Sequence, residues 1–513
     1  MQRPPGYFWL FLALALLYLA PLWSVRYLPT LDGPCHVYSA WAMREHGNQA
    51  EHPLIARYFE INWKPVPNWL GHGLLALAMF AAPPVVAEKL LLSAYVLLLL
   101  LAFWYLAGAA GPERRIYAFF GFPFVFNATL LLGFYNFCLS VALFMLVIGA
   151  WWRHWQRPDL RFAWRFGGLL LLCYFAHLLS FLMALGAIAV LWLVTLPGAP
   201  PRRHLRHLAI VAPLLPLPLW FLWSQRHQPV LPAVPTADAA HFLLGARAIS
   251  LDAATVDAVA PPLCLLLAVL AAATLAGGRV VRSEGGGWRL ALRREDGFLL
   301  LALAFAVLMI AGPDAMAGGA YIQPRMGLYP FLALVPWLNA GGGRLARGAT
   351  VTALALLALL NLACVERLFL RTEPLLHSYL LGLGPVPPGA RLLVLGFGPH
   401  GAPLQSPLLT HLAGYAGAEK GLMDWNSCEA TTNQSPLQFR PQARRLALDF
   451  ERGAAPPVTI HLADLDREAD AVYGWNLPLD SDFAARLGEI YQPVLVRGSA
   501  ALFLRRAPAP TGK

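Results

Sequence analysis

The chain is poor in charge. Only 13% of its 513 residues are Asp, Glu, Lys or Arg, about half the ~25% of an ordinary soluble domain. A water-soluble globule of this length is therefore excluded. Cysteine is scarce: six residues, at 35, 138, 173, 264, 364 and 428, none in C-x-x-C spacing, so a zinc ribbon or dithiol redox motif is not written here. No Walker loop, dinucleotide fingerprint, H-E-x-x-H helix or G-x-S-x-G elbow stands in a usable context, so nucleotide-driven transport, nicotinamide chemistry, zinc proteolysis and serine hydrolysis lack their signals. The spans show no internal repeat of the kind secondary transporters carry.

What is abundant is apolar. Hydrophobic residues make up 58% of the chain, with 43 Gly, 43 Pro and 17 Trp, a composition suited to membrane helices and their interfaces. Residues 7–25, 85–107 and 297–312 approach the roughly 20 apolar residues that cross a bilayer. The net charge of +11 does not indicate nucleic acid. Arg and His cluster in short loops between apolar runs, as the positive-inside rule requires. The first run lacks an A-x-A cleavage site and is too long for a signal-peptide core, so it is expected to stay as a helix with its N-terminus in the cytoplasm.

Orienting the runs by their basic loops gives about eleven crossings: 7–25, 85–107, 116–131, 136–152, a hairpin of 166–178 and 180–197, then 208–224, 259–277, 297–312, 326–340 and 349–380. Parity makes 69–82, stopped by Pro83-Pro84, a helix lying at the outer interface. After residue 380 the apolar runs shorten to strand length at 391–397, 458–462, 471–475, 493–496 and 501–506, and 441–453 has helical spacing. The expected class is thus an α-helical polytopic membrane protein with a small C-terminal extracytoplasmic α/β domain. The transmembrane domain is 1–380, with its first outer loop at 26–84, and the α/β domain is 381–513.

Titratable side chains concentrate in that first loop. Asp32 lies a few residues past the first span, where it can serve as a general base or metal ligand or cap the helix that begins near His36. His36 stands one turn on. His72 is in the interface helix. Glu60 and Lys64 have helical spacing and suit an i,i+4 pair, and Lys64 is also placed to bind a lipid phosphate. Asn136 and His177 sit at expected outer hairpin tips, where turn chemistry or function explains them. Arg325 is the only cation between residues 295 and 344. It falls on the disfavoured outer side, after Tyr321 and near Asp314, its expected partner, and its fork suits a phosphate. Cys35 and Cys428 fall on one side of the membrane, so a disulfide between them is open.

An acid after the first span (LDGPCHVYSA), an interface helix before the second, about eleven crossings and an outer Arg in QPRMGLYPF together resemble the GT-C superfamily of integral-membrane glycosyltransferases. The likeness is to its bacterial protein-mannosyltransferase and aminoarabinose-transferase relatives, and it covers residues 1–380. It implies a bacterial inner-membrane enzyme that moves a sugar from a polyprenyl-phosphate carrier to a lipid, glycan or protein acceptor on the outer face. Asp32 would be the catalytic residue, Arg325 and Lys64 would hold the lipid phosphate, and His36, Glu60, His72, Asn136, His177 and Tyr321 would line the site. A divalent metal ion is the one cofactor the resemblance allows. Membrane lipids, and no nucleic acid, are the expected surroundings. Where many relatives carry Asp-Glu, this chain has Asp32-Gly33, which keeps open a non-catalytic assembly role on the same scaffold; a transporter or lipid flippase is the rival from another class.

Overall fold

The computed structural model describes residues 6–156, 158–196, 200–227, 239–277, 280–282, 288–290, 293–316, 319–339, 341–398, 407–454 and 458–506. Parts of the loops at 225–258 and 279–296 that oriented the spans lie outside these. The chain gathers into two compact units, residues 1–24 with 92–368, and residues 25–91 with 369–513.

The first unit is helical. Among the described residues, seven helices are long and apolar enough to cross a membrane: Gly6–Ser24, Pro84–Ala110, Tyr135–His154, Leu178–Thr195, Arg202–Gln225, Ala253–Ala276 and Arg344–Gly382. The chain is an integral membrane protein on this ground. The Gly6–Ser24 segment is tied to the long last helix by Tyr18, whose buried hydroxyl donates to the Ala358 carbonyl at 2.7 Å. The four other expected spans are shorter or broken. Residues 116–131 are not one α-helix. A 3-10 helix runs over Pro112–Phe124 with Pro123 inside it, and a new turn, Ala128–Leu131, begins where Asn127 accepts the Thr129 and Leu130 N–H groups. A proline that lacks its donor and an Asn that caps the next turn end the run, which hydropathy alone does not register. Residues 326–340 are likewise split, into Ile322–Met326 and Tyr329–Leu334 with Pro330 at the start of the second. The hairpin is as expected, Leu160–Ala176 and Leu178–Thr195, with His177 between them.

The second unit is α/β. Five strands lie in the order Met423–Asp424, Arg391–Gly396, Ala471–Trp475, Ala500–Arg505, Tyr491–Arg497. The first two pairings are parallel and the last two antiparallel. Arg391–Gly396 and Ala471–Trp475 are near-continuously buried, as parallel strands covered on both faces must be. Tyr491–Arg497 is the exposed edge, blunted by Pro493 and a register shift, which discourages pairing with another chain. Residues 458–462 are not a strand: Thr459 donates to the Gly453 carbonyl at 3.0 Å, folding the segment back on the Pro441–Gly453 helix, and the next helix begins at Leu462.

The first loop belongs to this same unit. Its helix Gly33–Glu45, with Pro34 in the first turn, lies against the helix Ala413–Lys420 (AGYAGAEK). Small residues allow the approach. A Cβ on Gly414 would overlap the Pro34 carbonyl, and one on Gly417 would stand 2.8 Å from the Tyr38 ring. Tyr38 then donates to the Leu422 carbonyl at 3.0 Å and accepts the Asp424 N–H at 3.0 Å. Downstream, Phe59–Ile61 pairs antiparallel with Leu437–Phe439. That strand corrects the Glu60–Lys64 reading: Glu60 is in extended backbone and Lys64 is in the loop beyond, so the two share no helical face. The apolar segment at 69–82 is a short helix, Trp69–Ala78.

Candidate functional site

Asp32 occupies the residue before the Gly33–Glu45 helix, but its side chain makes no capping hydrogen bond. A carboxylate at a helix start ordinarily takes the N–H groups of the first turn; this one instead faces His411, whose Nε2 lies 3.6 Å from Asp32 Oδ1. Cys428 completes a group whose ligand atoms all lie within 4.8 Å of one another. The Cys428 thiol also meets Cys35, Sγ to Sγ 3.3 Å, and both cysteines are free thiols. Its neighbour's hydrogen bond, burial and the nearby Asp32 and Glu429 charges push the Cys428 thiol well above the usual range.

One helical turn from Asp32, His36 points at a second group. Its Nδ1 is 3.1 Å from His72 Nε2 and 3.1 Å from Glu429 Oε1, and His72 Nε2 is 2.7 Å from Glu429 Oε2. His36 and His72 are buried. Burial opposes charge on His36, but the Glu429 carboxylate outweighs it, aided by Asp32 and Glu88, and holds the imidazole above its ordinary pKa. Burial would raise Glu429; His36 and His72 instead hold it far below the carboxylate range.

The turn that delivers Cys428 and Glu429 starts at Asp424, whose Oδ1 accepts the Asn426 N–H at 2.9 Å. Asn426 in turn bonds both polar backbone groups of Val394, at 2.7 and 3.0 Å. Asp32, His36 and His72 were legible as candidates. His411 and Glu429 were not: no local pattern marks them, and the one pointer was Cys428, assigned to the same side as Cys35 and adjacent to Glu429.

The donors around Asp32 are one carboxylate, one imidazole and one thiol. This set suits a borderline transition ion and not Mg²⁺ or Ca²⁺, which prefer all-oxygen shells. Lys64 is exposed, with its backbone N–H on Asn62 Oδ1 at 3.3 Å.

The remaining candidates are in the first unit. Arg325 donates to the Ala320 carbonyl, and its guanidinium lies 4.0 Å over the Phe134 ring and 5.8 Å from Phe137. Asp314, the expected partner, uses Oδ1 to accept the Gln323 N–H at 3.1 Å. Tyr321 precedes this helix in a left-handed conformation, φ 57°, its ring 6.1 Å from Phe134. His177 caps Leu178–Thr195 by accepting the Leu179 N–H at 3.1 Å and meets Phe137 edge-on at 5.3 Å. Asn136 is buried in the first turn of its helix. Arg325, Tyr321 and His177 therefore share one aromatic bed made by Phe134 and Phe137.

Compared with solved structures, the chain aligns with the crystal structure of ArnT from Cupriavidus metallidurans in the apo state, with a TM-score of 0.53 over 97% of this chain and 97% of that one. The fold is GT-C-like. At 14% identity the likeness speaks to the fold alone. No family model and no curated protein matches the chain. Within the GT-C-like chain, the uncapped acid after the first apolar helix is the feature that most invites a chemical role.

Proposed function

We propose that the protein is a membrane glycosyltransferase that takes a sugar from a polyprenyl-phosphate carrier and gives it to an acceptor on the outer face of the inner membrane. On this reading the N-terminus is cytoplasmic and the second unit extracytoplasmic. One observation carries the proposal: on a GT-C-like fold, Asp32 leaves its helix uncapped and turns toward His411 and Cys428.

Asp32 accepts the acceptor's proton as the acceptor oxygen attacks the anomeric carbon, and His411 beside it orients the carboxylate. The carrier phosphate departs with the bonding electrons, and its existing sugar–phosphate bond supplies the driving force without nucleotide. Arg325, its guanidinium over the Phe134 ring, is the residue assigned to that phosphate. The C-terminal region selects the acceptor.

The test is the lipid that copurifies with the protein. Wild type and Asp32→Asn should both retain polyprenyl phosphate, identified by mass spectrometry of the extract. Arg325→Ala should retain about 10–100-fold less, because a phosphate loses charge-assisted hydrogen bonds of ~1.5–3 kcal/mol each. Equal retention in Arg325→Ala, or ordinary phospholipid alone in the wild type, overturns the assignment.

A further inference from the structure

We propose that His36, His72 and Glu429 form a binding site for a zinc-class divalent metal ion that ties the first loop to the C-terminal region. It is separate from the Asp32 group and does not depend on the transferase reading. The three side chains come from three places in the chain: the helix Gly33–Glu45, the helix Trp69–Ala78 and the turn at Cys428–Thr431. Their ligand atoms form a closed triangle of 3.1, 3.1 and 2.7 Å. A tetrahedral ion bound at about 2.0–2.1 Å sets its ligand atoms roughly 3.3 Å apart. The side chains need move only by tenths of an ångström to receive one.

Proton placement agrees with the geometry. His72 Nδ1 lies 2.9 Å from the Asn68 carbonyl oxygen. A carbonyl only accepts, so Nδ1 carries the proton. In a neutral imidazole Nε2 then bears a lone pair, and that lone pair faces a carboxylate oxygen at 2.7 Å. A proton on Nε2 would relieve this contact. His36 Nδ1 likewise meets Glu429 Oε1 at 3.1 Å best as a donor, which sets its N–H against that of His72 at 3.1 Å. One divalent ion takes the place of both of these protons, since all three groups then present lone pairs to it. The Asn68 carbonyl is the outer partner that metal-bound histidines commonly have on the other ring nitrogen. Asn68 itself sits in a left-handed conformation, φ 73°, at the start of the helix that carries His72. The His72 side chain is 1% exposed and that of Glu429 22%, so an ion has a solvent approach from the Glu429 side.

The experiment uses the full-length protein in detergent, stripped with chelator and then titrated with Zn²⁺ alone, with bound metal measured by elemental analysis. The wild type should bind about one equivalent tightly, with water completing the shell of this three-ligand site. His72→Ala and Glu429→Gln should each weaken binding by more than about 100-fold, beyond what loss of an outer partner costs. Cys428→Ser should bind as the wild type does. Co²⁺ spectra of the wild type supply a readout that needs no variant to fold: tetrahedral d–d bands without a sulfur-to-metal charge-transfer band are expected. No saturable zinc binding, binding unaffected by both His72→Ala and Glu429→Gln, or a thiolate band lost in Cys428→Ser would each overturn the proposal.

Discussion

Asp424 opens the turn that places Cys428 and Glu429, and it does so as a buried carboxyl. It is 3% exposed. Burial pushes its pKa up to about 6 from 3.8, against the opposing pull of the Asn426 N–H. The folded-state value is raised above the unfolded one, so the folded protein holds the proton more tightly. The stability this contributes is fully present below pH 3.8 and is lost as pH rises through about 6. The span corresponds to ~3 kcal/mol. Asp424→Asn keeps an acceptor for the Asn426 N–H and does not titrate. Its new amide donors cost the same at every pH, so they shift the offset between variant and wild type but not its slope. Thermal unfolding of the full chain in detergent, followed by tryptophan fluorescence with Trp425 next door, should show the variant gaining on the wild type between pH 4 and 7.5. At about 2–4 °C per kcal/mol for a unit of this size, the gain is roughly 6–12 °C. An offset that stays constant across that range would refute the idea that Asp424 is protonated in the folded state near pH 5.

Two further outcomes follow from the packing and from the charge of the loops. Gly414→Ala should lower the unfolding temperature by several degrees, because its methyl would overlap the Pro34 carbonyl and such overpacking costs ~1–3 kcal/mol. Gly167→Ala, with nothing within 4 Å of the added carbon, should be neutral or slightly stabilising; equal losses for the two variants would remove the argument for close helix approach. A topology reporter fused after Lys513 should be active only outside and one inserted in 279–296 only inside, and an inner C-terminus would contradict the parity that laid Trp69–Ala78 at the interface.

The sequence made the regular elements readable where length and period agreed. The Pro441–Gly453 helix and the strands at 391–396, 471–475, 491–497 and 500–505 lie where apolar spacing puts them. It misled where a local apolar or β-branched run lacked a partner or hid a breaker. Residues 458–462 look like a strand but fold back on Gly453, and Pro123 with Asn127 divides a segment that hydropathy reads as one span. Asp32 was legible because an acid at the end of an apolar run is out of place. Its surroundings were not legible. His411, Cys428 and Glu429 reach the first loop because Gly414 and Gly417 let two helices close on each other, and a contact made through absent side chains leaves no mark in either segment.

The most direct test of the transferase account needs neither the sugar nor the acceptor to be known. Proteoliposomes containing the protein are incubated with a total lipid and envelope extract, and free polyprenyl phosphate is quantified over time. The account predicts release by the wild type and a rate about 10²–10⁴-fold lower in Asp32→Asn, the range expected for loss of a general base. Release by Asp32→Asn at the wild-type rate would contradict it.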